Sequence, residues 1–163
     1  MKIVLALCVV LVVFPNAAIA GNDDGGQGGL KVGFAQVDIT PPIGAIMTGP
    51  AHPVTTGTDD PLCSRAMVVQ SGGRTLAIVG VDLVKIRRDL ADAALAQASQ
   101  RTGIGRDAII VCPSHDHSSI FIPMGGPINK DYLAALPGRI SQSIEQAYQA
   151  LEPARMFIGR SLV

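Results

Sequence analysis

The stretch RAMVVQSGGRTLAIVGVDL, residues 65–83, decides the fold class. Two apolar runs, 65–70 and 75–83, flank the tetrapeptide Ser-Gly-Gly-Arg, and this pattern predicts a β-hairpin with a glycine-containing turn. The second run is almost continuously apolar, which predicts a strand buried on both faces. The hairpin therefore contributes an antiparallel portion to the sheet that the rest of the chain builds.

Strand and helix patterns flank this hairpin. Alternation over residues 30–40 predicts a preceding strand with an irregularity near Ala35. After the hairpin, apolar residues at helical spacing predict a helix over 87–103, which Gly103 ends. The apolar run 108–112 then predicts a short buried strand.

The last third of the chain adds a helix and a strand. A helix is expected within residues 129–153, with Pro137 either kinking it or marking its true start, and a strand over 154–163. This order predicts two βαβ units with parallel strands. The predicted fold class is α/β: a mixed sheet with an N-terminal antiparallel hairpin portion and βαβ units, with helices packed on the sheet. Residues 41–61, rich in Pro, Gly and Thr, predict a long loop.

The N-terminus has the pattern of a secretory signal. Lys2 precedes an apolar run of 12 residues, 3–14, and small residues at positions 18 and 20 suit signal peptidase. The alternative, an uncleaved membrane anchor, is disfavoured because a span needs about 20 apolar residues. We therefore expect a signal peptide over 1–20, a flexible Gly-rich leader over 21–29, and an exported protein, whether periplasmic, cell-surface or extracellular, without a stable transmembrane segment.

Composition excludes some partners. The 13 basic and 13 acidic side chains balance, so neither nucleic acid nor an anionic membrane surface is expected as a partner. Aromatic residues make up 4% of the chain, too few for a stacking platform. Cys63 and Cys112 are expected to be two free buried thiols, although export would permit a disulfide between them.

Two of the three histidines lie one residue apart, directly after a predicted strand. In the segment IIVCPSHDHSSIFIP, residues 109–123, an extended backbone would point His115 and His117 to the same side, with their Cα atoms about 6.5–7 Å apart. Imidazoles beyond the carboxyl end of a sheet strand can bind zinc or a similar metal. Asp116 would point away and could hold a backbone or supporting group. The alternative is a pair of loop histidines that cap backbone groups.

Other polar residues have competing interpretations. Asp82 follows a buried strand, where a carboxylate is either functional or caps the following turn. Asp38 is expected to be a turn residue, His52 a solvated loop residue, and Arg65 an ordinary ion-pair partner.

Four segments together resemble a known family. GFAQVDITPPIGAIMTG, DPLCSRAMVV, LAIVGVDLVKIRRDLADA and SHDHSS occur in this order. The arrangement resembles the N-terminal catalytic region of the neutral/alkaline (non-lysosomal) ceramidases, and the resemblance covers roughly residues 32–160. It implies that residues 30–163 are the N-terminal part of a ceramidase-like hydrolase domain, which acts on N-acyl sphingosine or a related small-molecule or lipid amide.

The resemblance also implies roles for individual residues. In that family one Zn²⁺ ion activates a water molecule that attacks an amide carbonyl. By match, His115 would be a zinc ligand, and His117 would contact substrate or stabilise charge on the tetrahedral intermediate. The match also implies that the backbone of Gly49 faces the substrate.

The chain departs from the family in ways that suggest a second hypothesis. Asp116 replaces a Thr of the family motif and Ser119 replaces a Gly. The family's other zinc ligands, a His, a Glu and a Tyr, come much later in longer chains, so we expect this chain to be an N-terminal fragment that lacks hydrolase activity alone. The alternative is an exported binding or scaffold domain that keeps the fold without the metal site. A two-metal phosphoesterase ranks last, because no further Asp, Asn and His set has suitable spacing.

Overall fold

Five strands and two helices make up the described part of the chain. The computed structural model describes residues 29–122, 129–157 and 159, so the predicted signal peptide and almost all of the leader lie outside it. The strands are β1 (Lys31–Asp38), β2 (Cys63–Ser71), β3 (Arg74–Val81), β4 (Ile109–Pro113) and β5 (Glu152–Pro153). The helices are α1 (Arg88–Thr102) and α2 (Lys130–Gln149), and a 3₁₀ turn (Arg106–Ala108) precedes β4. The strands form one sheet in the order β4-β3-β2-β1-β5.

The predicted hairpin is confirmed. β2 and β3 pair antiparallel up to Ser71 opposite Arg74, and the connecting glycines, Gly72 and Gly73, have φ values of 56° and 74°. A two-residue turn with positive φ at both positions matches the twist of the flanking strands, and glycine adopts it without strain.

The irregularity expected near Ala35 is wrong, because β1 pairs with β2 without interruption from Lys31 to Asp38. Gly33, Ala35 and Val37 share the parity that faces the helices. Two of these three side chains are very small, which obscured the alternation in the sequence.

The fold class is confirmed as a mixed α/β sheet. β3, α1 and β4 form a parallel crossover, with Ala77 opposite Ile109 and Val81 opposite Pro113. The second expected βαβ unit is wrong, because α2 crosses the sheet and β5 pairs antiparallel with β1 at the opposite edge. Of the strand predicted over 154–163, residues 154–157 are described and are not in a strand, whereas 158 and 160–163 lie outside the described residues; the last described strand is Glu152–Pro153.

Gly103 ends α1, whereas Pro137 does not interrupt α2. α1 stops where predicted, at Gly103, which has φ 74° and donates its N–H to the Ser99 carbonyl at 2.9 Å. α2 begins at Lys130 and runs through Pro137, so Pro137 does not mark its start. Pro137 is buried, and tertiary packing of that face compensates for the hydrogen bond that a proline cannot make.

One face of the sheet holds the core. Both helices pack on that face, where one buried cluster joins sheet residues such as Val68 and Val79 to the α2 residues Ile140 and Ile144. The opposite face leaves apolar side chains accessible, with Phe34 47%, Leu76 37% and Ile110 46% exposed. The prediction that β3 is buried on both faces is therefore wrong, because both helices cover the same face, and β4, predicted as a buried strand, alternates between buried or half-buried and exposed residues.

The two cysteines differ in burial. Cys63 and Cys112 are both free, as expected, but only Cys63 is buried. Cys112 is exposed, because it lies on β4 at a position that faces away from the helices.

Candidate active site beside the carboxyl ends of β3 and β4

Three loops meet at one end of the sheet. The parallel strands β3 and β4 end side by side, so the segments that follow them, 82–87 and 114–122, are neighbours. The long loop between β1 and β2 folds onto the second of these: Met47 bridges to Ile120, and Thr48 donates its N–H to the Ser119 carbonyl at 2.9 Å. The predicted candidates therefore come from loops that are in contact with one another.

The two imidazoles of this loop cluster lie close together. The ring centroids of His115 and His117 are 5.0 Å apart at an interplanar angle of 77°, and both residues are exposed. Nδ1 of His115 lies 2.9 Å from the Val84 carbonyl oxygen. A carbonyl oxygen can only accept a hydrogen bond, so Nδ1 is the donor, and in the neutral form of the ring this leaves the lone pair on Nε2. Metal-binding histidines are commonly oriented in this way by a backbone carbonyl.

The backbone at His115 is left-handed, with φ of 61°. The spacing argument assumed an extended segment, but β4 ends at Pro113, before the pair. A left-handed non-glycine residue costs roughly 1–2 kcal/mol and persists only where its surroundings hold it. Such outliers concentrate at functional sites, and the described residues include three more, Ala51, His52 and Asn129, so the positive φ is compatible with a functional role of His115 but does not by itself distinguish it.

Asp116 turns the loop between the two histidines. Its Oδ1 accepts the backbone N–H of Ser118 at 2.8 Å, which is an Asx turn of the kind that short acidic side chains form. Asp116 therefore holds the backbone, which is one of the two roles that the sequence predicted for this residue.

Asp82 joins the start of β2 to the segment after β4. Its Oδ2 accepts the Cys63 N–H at 2.9 Å and the Arg65 guanidinium at 2.6 Å, and its Oδ1 lies 3.4 Å from the Ser114 hydroxyl. Asp82 is thus a junction between strand ends rather than a cap of its own turn. The Arg65–Asp82 ion pair agrees with the role expected for Arg65.

A polar cleft lies beside this junction. It has a volume of about 770 Å³, and Arg65, Asp82, Asp116 and Ser118 are part of its wall. One guanidinium, several carboxylates and several hydroxyls line the cleft, so it suits a ligand that has both hydrogen-bond donors and hydrogen-bond acceptors. Neither histidine is among the described residues that line it.

Gly49 requires glycine for conformational reasons. Its φ is 143°, a value that side-chain-bearing residues rarely adopt, and its carbonyl accepts the His52 N–H at 3.2 Å. Gly49 follows Thr48, whose N–H is bonded to the Ser119 carbonyl, so Gly49 is next in the chain to a residue that contacts the histidine loop. His52 is exposed, as expected, and its ring lies 4.2 Å from the ring of Phe121.

The metal implied by the resemblance fits the donor chemistry but not the donor count. An imidazole with a free Nε2 suits zinc, yet a catalytic zinc site takes three protein ligands. Within residues 29–122 and 129–157, no three His, Cys, Asp or Glu side chains are grouped so that they could hold an ion.

Two supporting groups were not identified from the sequence. The Val84 carbonyl is a backbone atom, and no side-chain pattern signals it. Asn129 uses both atoms of its amide, since Oδ1 accepts the Ile46 N–H and Nδ2 donates to the Ile46 carbonyl, each at 3.0 Å. An Asn before a helix usually signals a cap, but this side chain holds the long loop instead.

Comparisons with known proteins show the fold. The chain is similar to the crystal structure of a neutral ceramidase from Pseudomonas aeruginosa, with a TM-score of 0.66 and 23% identity over 78% of this chain and 23% of that one. A ceramidase complexed with C2 gives a TM-score of 0.66 and 23% identity over 78% of this chain and 22% of that one. The chain thus spans less than a quarter of the length of these structures. No family model and no curated protein matches it.

No helix in the described residues has both the length and the apolar character needed to cross a bilayer.

Proposed function

We propose that this chain forms part of an exported, zinc-dependent hydrolase of N-acyl amides, resembling neutral ceramidase. Nε2 of His115 binds the metal, His117 lies on the substrate side, and the backbone of Gly49 borders the path of the substrate. The carrying observation is the hydrogen bond between His115 Nδ1 and the Val84 carbonyl at 2.9 Å, since it leaves Nε2 free beside a second imidazole. The ceramidase-like fold supports the substrate class.

The remaining ligands are proposed to lie outside the described residues. The chain spans 23% of the similar ceramidase, so a longer polypeptide has room for the further donors that a zinc centre requires. When bound, the metal would supply a nucleophilic water at neutral pH. His117 would then hydrogen-bond the substrate carbonyl, and the polar cleft beside Arg65 would take the hydrogen-bonding part of the substrate.

The test uses the longest reading frame that contains this chain. Purified protein is assayed on N-acyl sphingosine and on simpler N-acyl amides, with and without a chelator, and with zinc added back. His115→Ala should lower both zinc content and kcat/KM by at least about 100-fold, since even indirect supports of a metal are worth 10–100-fold. His117→Ala should lower kcat by about 10²–10³-fold with zinc content unchanged.

Lys31→Ala is the control, because Lys31 is exposed at the start of β1, at the opposite end of that strand from the loops of the proposed site. Its activity should stay within about twofold of the unaltered protein, as surface substitutions usually do. Chelator-insensitive hydrolysis, or no hydrolysis of any amide or ester, would exclude the proposal. Export is tested separately by mass spectrometry of secreted material, which should begin at Gly21.

A second candidate is a binding or scaffold domain that has kept the fold without the chemistry. The observation in its favour is that residues 29–122 and 129–157 group no three possible metal ligands. Zinc is titrated into the full-length protein while the His115 and His117 ring signals are followed by NMR. Tight, stoichiometric binding through both rings would exclude the scaffold, whereas unchanged ring signals would favour it.

A further inference from the structure

Ser119 is a polar residue in a fully buried position. Its exposed fraction is 0%, and its hydroxyl makes two hydrogen bonds. Oγ accepts the N–H of Val84 at 2.9 Å and donates to the carbonyl of Asp116 at 2.7 Å. The hydroxyl therefore ties the loop after β3 to the loop after β4.

Both bonds bear on His115. Val84 directs both of its backbone polar groups at the histidine loop, since its N–H donates to Ser119 Oγ and its C=O lies 2.9 Å from His115 Nδ1. The Asp116 carbonyl belongs to the residue directly after His115, where the backbone leaves its left-handed conformation. One hydroxyl thus bonds both the residue whose carbonyl accepts the imidazole N–H and the residue that follows the imidazole in the chain.

We propose that Ser119 is a positioning residue that holds the imidazole of His115 in its Nδ1–H tautomer, with Nε2 free for a ligand. The family motif that this segment resembles has Gly at the same position, so the hydroxyl link is a departure of this chain. The inference concerns the site of the proposed function, but it needs neither zinc nor substrate. The tautomer of His115 can therefore be measured even if the protein binds no zinc and hydrolyses no amide, so failure of the Ser119 proposal is distinguishable from failure of the proposed function.

The test is a tautomer measurement by NMR on the full-length protein, freed of metal by a chelator and labelled with ¹⁵N-histidine, because a metal on Nε2 would itself fix the tautomer. At about pH 8.5, where an ordinary imidazole is neutral, the His115 ring should show one protonated nitrogen, Nδ1, and one unprotonated nitrogen, Nε2. In Ser119→Ala the two ¹⁵N shifts should move toward each other, because the Val84 carbonyl loses its support and the tautomers exchange.

The control is Ser143→Ala. Ser143 is also a buried serine, and its hydroxyl bonds to Ser64 at 2.9 Å and to the Ile140 carbonyl at 2.8 Å, within the core and away from the loops. A general loss of stability would affect both variants, so a tautomer change confined to Ser119→Ala supports positioning. Wild-type His115 shifts in a folded Ser119→Ala protein would overturn the proposal.

Ser119→Thr keeps the test decisive if the alanine variant does not fold. It retains the hydroxyl, so its folded form should keep the wild-type His115 tautomer. A folded threonine variant with exchanging tautomers would overturn the proposal.

Discussion

Substitution of Gly33 tests how closely the end of α2 packs against β1. A Cβ atom added to Gly33 would lie 2.0 Å from the Ala147 carbonyl oxygen and 2.9 Å from the backbone N of Leu151. These are backbone atoms at the end of α2, so they cannot rotate away as a flexible side chain would. Gly33→Ala therefore requires the end of α2 to move away from β1.

The size of the effect follows from that distance. A close carbon–oxygen contact lies at about 3.3 Å, so the end of the helix must move by roughly 1 Å. A gap of that size forfeits about a quarter to a half of the dispersion energy across it, and overpacking alone costs about 1–3 kcal/mol or more. We expect Gly33→Ala to lower the free energy of unfolding by about 3 kcal/mol, a large share of the ~5–15 kcal/mol typical of a domain.

Gly80→Ala is the matched control. Gly80 lies in β3, a Cβ there would meet nothing within 4 Å, and neither glycine has a positive φ. Alanine should therefore be neutral at position 80, or stabilising by about 0.4–1 kcal/mol through the unfolded chain. Urea unfolding followed by circular dichroism measures both variants. If Gly33→Ala falls within about 0.5 kcal/mol of Gly80→Ala, the close approach of α2 to β1 is refuted.

Two further predictions concern buried polar groups and thiols. The Ser141 hydroxyl is buried without a hydrogen-bond partner in the described residues, so Ser141→Ala should raise the free energy of unfolding by up to about 1 kcal/mol. The Ser143 hydroxyl donates to the Ile140 carbonyl, so Ser143→Ala should lower the free energy of unfolding by about 1–2 kcal/mol. Equal effects of the two substitutions in urea unfolding would contradict this prediction. Burial raises the pKa of the Cys63 thiol, so a short pulse of thiol reagent at pH 8 should label Cys112 and leave Cys63 unlabelled until the protein unfolds. Peptide mapping checks the order, and prompt labelling of Cys63 would contradict it.

Local signals predicted much of the fold. The Gly-Gly turn of the hairpin and the Gly103 stop of α1 are features that a few neighbouring residues determine, and both were confirmed. What the sequence could not show is which face of the sheet the helices cover. An uninterrupted apolar run such as residues 75–83 fits a strand buried on two faces and equally a strand buried on one face with apolar residues on the other. The choice depends on α2, which is distant in the sequence.

The supporting contacts of the candidate site were beyond sequence reasoning for a related reason. Asp82 could be identified as a carboxylate at a strand end, but its partners come from β2 and from the segment after β4. The sequence leaves the capping and functional interpretations of such a residue equally open. Only the register of the sheet brings Cys63 and Ser114 to it.

His115 shows why spacing alone is a weak guide even where the side chains do come together. The i, i+2 argument requires an extended backbone, and the observed left-handed residue breaks that requirement. The rings nevertheless lie 5.0 Å apart, because the loop is held by contacts that the alternation rule does not contain, above all the Val84 carbonyl on Nδ1. Freed from these contacts, the segment would regain roughly 1–2 kcal/mol by leaving the left-handed region. The arrangement of the two imidazoles is therefore a property of the loop after β3 as much as of the motif that contains them.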